Sequence, residues 1–256
     1  MRWFCRCAHD GLSRSGWPAS GYNQPWSPTG MTETIGRMAM LHAGEAAALQ
    51  ASIERVGARV TAALQANPGV AYAVAFVGNL HRGIDQTMAQ AALRGEPVAC
   101  QARCTSCCSL RVEVVPAEAL LIAQQLRSGP ADRLAQLRQA LQQQQALLAQ
   151  GAAQRPACAF LQDALCSIYP WRPASCRKAH SFSAEACLSA AAQLPQDLSI
   201  TLAAEALQRG TALGYRQRGL DGVVQELSAA VLQALDDDTA ASRWYAAADS
   251  GATAQG

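Results

Sequence analysis

Eight of the ten cysteines in this 256-residue chain fall between Cys100 and Cys187. Four are packed into nine residues as Cys100-x3-Cys104-x2-Cys107-Cys108, and Cys158, Cys166, Cys176 and Cys187 follow. Thiolates held this close repel one another, oxidise, or share a soft metal ion. The first thirty residues lack the apolar stretch of a secretory signal, so a cytosolic, reducing setting is expected and a disulfide framework is not. Metal binding is therefore the chemistry this pattern points to, with zinc or iron as the ion.

Spacing limits how such a site can be built. A regular helix over residues 100–108 would put Cys100, Cys104 and Cys107 on one stripe. It would also hold the first and last about 10 Å apart, at ~1.5 Å per residue. Zinc–sulfur bonds of about 2.3 Å cannot span that gap. If these cysteines share a centre, the segment is a loop or a broken helix. Adjacent Cys107 and Cys108 point apart, so one of them is expected to serve a second centre or to be a buried or redox-active thiol. Eight thiols suffice for two four-thiolate zinc sites, or for one four-iron four-sulfur cluster with four left over, and spacing does not choose between these. The run C-x3-C-x2-C also occurs in radical enzymes that use S-adenosylmethionine. The strand–helix alternation and glycine-rich loops of their barrel are missing from this sequence.

Charged neighbours could tune such a centre. Arg103, Arg111, Arg172, Arg177 and Lys178 stand near the thiols in sequence, and a cationic setting lowers thiol pKa and offsets thiolate charge. His180 is a further candidate ligand. His42 and His81 sit on expected helices without sequence partners and receive no role. Cys5 and Cys7 lie in the N-terminal arm, apart from the cluster.

The elements that must position these residues are mostly helical. Apolar residues make up 50% of the chain and aromatics only 5%, with alanine and leucine supplying most of the apolar share. Few β-branched residues accompany them, which favours helix over sheet. Three- and four-residue apolar spacing predicts helices over 44–65, 70–94, from Pro116 to the Ser128-Gly129-Pro130 break, and over 130–150. Others are expected near 196–213, 220–235 and 240–248. Leu110–Val114 alternates as a short strand would, and 152–190 reads as irregular. Asp236 to Asp238 read as a solvated helix terminator rather than a metal site. The expected fold class is mainly α: a helical domain with an irregular, metal-stapled, cysteine-rich centre and at most one short strand pair. Residues 1–30 are expected to be a disordered arm, 31–250 one helical domain containing the cysteine segment 97–190, and 251–256 a disordered tail.

The formal net charge is +2, and no run of Lys or Arg gives it a nucleic-acid surface. Thiolates around a divalent ion would bring the chain close to neutral. No stretch approaches the ~20 apolar residues of a membrane helix.

The second cysteine group reads Cys158-Ala-Phe160-Leu161, then Cys166-Ser-Ile168-Tyr169-Pro-Trp-Arg172-Pro173-Ala-Ser-Cys176-Arg177. Together with the upstream C-x3-C-x2-C-C, it closely resembles the YkgJ-type cysteine-cluster family of zinc- or iron-chelating domains, over about residues 97–190. The resemblance implies that Cys100, Cys104, Cys107, Cys108, Cys158, Cys166 and Cys176 are metal ligands, with Cys187 matching a frequent extra cysteine. Beside it, Pro173 fixes a bend before Cys176. Tyr169 and Trp171 could wall the centre from water, and Arg177 could donate toward sulfur or to Asp163. The expected function is a cytoplasmic metal-binding protein holding zinc or an iron–sulfur cluster, with a metal ion as its partner and any protein partner or substrate unidentified. One relative of the family, the flagellin lysine methylase, implies an alternative: an iron–sulfur-dependent protein lysine methyltransferase. A thiol redox sensor is a third reading, carried by the adjacent Cys107 and Cys108.

Overall fold

The computed structural model describes residues 42–93, 95, 97–151, 156–189 and 193–252. The expected arm at 1–30, with Cys5 and Cys7, lies outside the described residues, as do residues 253–256 of the expected tail.

Leu49, Ile53, Val60 and Leu64 recur at helical spacing and form the buried stripe of α1 (Ala43–Ala66). Asn67-Pro68-Gly69 ends that helix, and Gly69 adopts φ 126°, which suits glycine. Helix α2 (Val70–Ala92) follows, with Val74, Val77, Leu80 and Ile84 buried. After the first cysteine segment, Pro116 opens α3 (Pro116–Arg127), where its missing N–H costs nothing. Helix α4 (Ala131–Ala149) comes next. Two single-turn-length helices, α5 (Ala174–Lys178) and α6 (Ala184–Leu188), carry Cys176 and Cys187. The chain closes with α7 (Leu198–Gln217), α8 (Leu227–Asp236) and α9 (Ala240–Ala252). Every expected helix is present, most of them within a few residues of the expected bounds, and the protein is mainly α-helical.

Helix α7 packs along α1 and also touches α2, while α3 lies between α2 and α8, and α4 and α9 complete the outside. The first pair approaches closely because Gly210 faces α1. A Cβ there would stand 2.5 Å from Val56 Cβ and 2.7 Å from the Ile53 carbonyl oxygen. One continuous core runs from Val60 and Leu64 through Val77 and Ile84 to Ile122, Leu141, Val231 and Leu235. Burying each such side chain contributes about 1.5–3 kcal/mol.

Among the described residues two antiparallel strand pairs appear, one more than the sequence suggested. Strand β1 (Glu113–Val114) pairs with β4 (Gln225–Glu226), and β2 (Leu161–Gln162) pairs with β3 (Leu165–Cys166). The first pair shortens an expected helix. Residues before Leu227 run extended because Glu226 is the N-cap of α8, its carboxylate accepting the Ala229 N–H at 2.9 Å. At the end of α8 and just past it, Asp236, Asp237 and Asp238 form ion pairs with Arg138, Arg243 and Arg127. Their terminator role stands, though each carries a partner rather than water alone. No described helix is long and apolar enough to cross a membrane.

Candidate metal centre

The first cysteine segment is not helical throughout. Residues 100–105 form turns, with Arg103 at φ 68°, and Ser106–Ser109 form one 3-10 turn carrying Cys107 and Cys108. That is the broken geometry a shared centre requires. Cys104 and Cys107 are exposed, whereas Cys100 and Cys108 are half-buried.

Two backbone contacts bring the distant cysteines to this segment. The Cys158 N–H donates to the Cys108 carbonyl at 2.8 Å, laying the second group against the first. The Ala99 N–H donates to the Ser181 carbonyl at 2.8 Å, drawing Cys100 to the irregular segment that enters α6 and Cys187. Helix α6 rests against the 3-10 turn.

Cys158 and Cys166 flank a tight hairpin. Leu161 pairs with Cys166, and the turn residues Asp163 and Ala164 adopt φ 50° and 61°. Two successive left-handed residues define a type I′ turn, whose twist matches that of the strands. The flanking Phe160 and Ile168 are fully buried and root the hairpin in the core. At the hairpin tip, the Arg103 guanidinium donates to the Asp163 carbonyl at 3.3 Å.

Cys176 is positioned by α5, and α5 by a buried carboxylate. Glu118 is fully buried. Its Oε1 accepts the Ala174 N–H at the start of α5 at 2.7 Å, and its Oε2 accepts the Val115 N–H at 3.2 Å. His81 Nε2 lies 3.0 Å from Oε1. One carboxylate thereby ties α2, α3 and α5 together. The sequence shows Glu118 only as a favourable charge in a helix's first turn, and nothing in the local pattern marks His81 as its partner.

The basic residues divide sharply. Arg177 donates to Asp85 at 2.6 Å and to the Arg172 and Pro170 carbonyls, not toward sulfur or Asp163. It clamps the turn that precedes α5. Arg111 pairs with Glu113 and Lys178 with Glu205. Arg172 alone of the five is directed at several thiols: its charge lowers the pKa of Cys107, Cys166 and Cys176. Its guanidinium lies 4.0 Å from the centroid of Tyr169, and its Nε is buried without a hydrogen-bond partner. Tyr169 is 58% exposed, so it supports Arg172 and does not wall off the site. Trp171 packs partly against the core. His180 accepts the Asp197 N–H through Nε2 at 3.0 Å, and its Nδ1 meets the Lys178 carbonyl at 2.8 Å. With both ring nitrogens engaged, it has no lone pair to offer a metal.

Protonation follows this geometry. The S–H of Cys108 hydrogen-bonds to Cys107, which, helped by Arg172, lowers the Cys107 thiol to about 6. The same bond holds Cys108 far above its ordinary value, with burial and the charges of Cys107, Cys158 and Cys166 adding to it. Burial also raises Cys166 and, more strongly, Cys176, where Cys107, Cys158 and Cys166 add to the effect. Burial raises Cys100 too, and its charged neighbours are Cys104, Cys107 and Cys187.

Two sets of thiols emerge. Cys108, Cys158, Cys166 and Cys176 form an inner set, and Cys100, Cys104 and Cys187 an outer one, with Cys107 sensed by both. Among the described residues, no three Cys, His, Asp or Glu side chains stand together around a point that could hold an ion. The donor chemistry nevertheless fits zinc or iron: none of the eight sulfurs is in a disulfide, and the half-buried Arg172 offsets charge at three of them.

The fold and these thiols define a helical scaffold carrying a cysteine-rich segment. A family model, CxxCxxCC, described as "putative zinc- or iron-chelating domain", matches residues 99–196, and over this stretch the chain is similar to that domain. Neither a curated protein nor a solved structure matches the chain.

Proposed function

We propose that this protein is a cytoplasmic metal-binding protein that holds zinc or an iron–sulfur cluster through Cys100, Cys104, Cys107, Cys108, Cys158, Cys166, Cys176 and Cys187. The observation that carries the reading is the approach of the two cysteine groups, joined where the Cys158 N–H donates to the Cys108 carbonyl at 2.8 Å and where α6 rests against the 3-10 turn. The cysteine segment is read as part of one helical domain, since α5 touches α2 and α7 directly. When bound, the ion would neutralise the clustered thiolates and tie the hairpin, α5 and α6 to the 3-10 turn. The chain's own residues do the remaining work. Glu118 orients α5, Arg172 offsets thiolate charge, and the hairpin sets the spacing of Cys158 and Cys166.

Purification without oxygen, followed by metal analysis and a visible spectrum, tests this. Colourless protein with one or two zinc ions per chain, or brown protein with iron and acid-labile sulfide, is expected. Folded protein that takes up neither metal overturns the proposal.

A thiol redox sensor is the second reading, favoured by the Cys107–Cys108 hydrogen bond. It requires that mild peroxide remove two thiols per chain reversibly, with Cys107 and Cys108 linked in the peptide map.

A further inference from the structure

We infer that His180 is a pH-sensitive clasp: its neutral ring holds the start of α7 against the cysteine segment, and protonation of the ring opens that hold. This goes beyond the metal-binding reading and does not depend on it.

The clasp joins three stretches of chain that are distant in sequence. His180 and Ser181 are buried, at 3% and 1% exposure. On one side, the Ser181 carbonyl accepts the Ala99 N–H at 2.8 Å, one residue before Cys100. On the other, the Phe182 N–H donates to the Pro195 carbonyl at 2.9 Å, and the Gln196 side-chain amide donates to the His180 carbonyl at 2.8 Å. The ring completes the join. Its Nε2 accepts the Asp197 N–H at 3.0 Å, and its Nδ1 lies 2.8 Å from the Lys178 carbonyl.

These partners dictate the protonation of the ring. A backbone N–H only donates, so Nε2 must present a lone pair. A carbonyl only accepts, so Nδ1 carries the hydrogen. That is the neutral imidazole. An added proton sits on Nε2 and faces the Asp197 N–H, donor against donor, and the part-buried N–H loses its acceptor. The contact is therefore present while the ring is neutral and is lost as pH falls and the ring takes up a proton.

The charged groups on the surrounding elements do not rescue it. The Asp197 carboxylate senses the charge of the ring. It is already committed as the N-cap of α7, accepting the Ser199 N–H at 2.8 Å, the Ser199 hydroxyl at 2.6 Å and the Ile200 N–H at 3.4 Å. Turning it to an imidazolium would uncap the helix. On α5, Lys178 is paired with Glu205 of α7, and Arg177 with Asp85 of α2. Glu185, in the first turn of α6, is exposed. Acidification thus parts residues 180–183 from the start of α7. Cys100 on one side, and α6 with Cys187 on the other, lose the layer that fixes them.

Hydrogen exchange of the reduced full chain, resolved by peptide, tests the clasp. The two conditions are about pH 7.5 and about pH 5.5, which bracket the ordinary histidine value of ~6.5. After correction for intrinsic exchange, protection over residues 195–200 should fall about threefold to tenfold at the lower pH, the factor that one lost hydrogen bond produces. The middle of α2 should keep its protection. His180→Gln, whose side-chain oxygen accepts the Asp197 N–H without titrating, should hold residues 195–200 equally at both pH values. Equal protection of the parent chain at the two pH values overturns the inference. So does a loss in the glutamine variant that matches the parent's, because release of metal or titration of a carboxylate would act on both. If that variant does not fold, the ring proton resonances of His180 in the parent chain decide. Their titration midpoint must coincide with the loss of protection, and a midpoint apart from it, or none in that range, overturns the inference.

Discussion

Cys107 is the thiol whose chemistry departs furthest toward reactivity. Its neighbour donates a hydrogen bond to it, Arg172 adds positive charge, and the side chain faces solvent. A depressed thiol pKa means that the reactive thiolate forms as pH rises through about 6. In metal-free protein, the alkylation rate at Cys107 should therefore already be near its plateau at neutral pH. Cys176, pushed the other way by burial, should remain unlabelled. Peptide mapping after a brief iodoacetamide pulse checks this, and equal labelling of both would contradict it. Arg172→Gln removes the cation facing three of the thiols. Metal affinity should fall about tenfold or more, the usual cost of losing such support around a ligand shell, with the helical spectrum retained. Competition against a calibrated chelator measures it. The cysteine identities were legible from sequence, but the choice of Arg172 over its four basic neighbours was not. Their partners, among them Asp85 and Glu205, lie on helices far away in sequence.

Among the elements, the hairpin at 161–166 shows where local sequence misleads. Type I′ turns favour Asn-Gly or Asp-Gly, and Asp163-Ala164 lacks the glycine. Alanine at φ 61° carries a left-handed penalty of roughly 1–2 kcal/mol. Ala164→Gly should relieve part of it and raise stability by about 1 kcal/mol, partly offset by glycine's greater freedom when unfolded. A thermal melt of the two forms decides. The long helices, by contrast, were readable almost to their ends, because α1, α2 and α4 each bury one apolar stripe at regular spacing. Helix α5 was not foreseen. Its five residues have no periodicity, and it is held by Glu118, fifty-six positions upstream.

At the level of the whole molecule, the helices and the cysteine segment are stabilised by different means. The α1–α7 and α2–α3–α8 contacts bury a continuous apolar core, whereas the outer cysteine loops bury almost nothing. Removing the metal should therefore loosen the segment from Cys100 to Cys108 and α6, and leave α1, α2 and α7 protected. Hydrogen exchange with and without chelator should show that contrast, and uniform loss of protection would refute it. The mainly helical fold class could be read from composition because scarce β-branched residues leave few alternatives. The pairing of the first helix with the seventh could not, since nothing local in either sequence names its partner.

That pairing has a consequence for how the protein is made. Thr61 hydrogen-bonds to Gln217, 156 positions later. At ordinary translation speeds of about 5–20 residues per second, α1 waits roughly ten to thirty seconds on the ribosome for its packing surface. Throughout that interval the eight thiols emerge one after another beside an unfinished core. Nascent chains held in a reducing environment reach the finished fold with every sulfur available, whereas an oxidant present during synthesis meets the thiols before their scaffold exists.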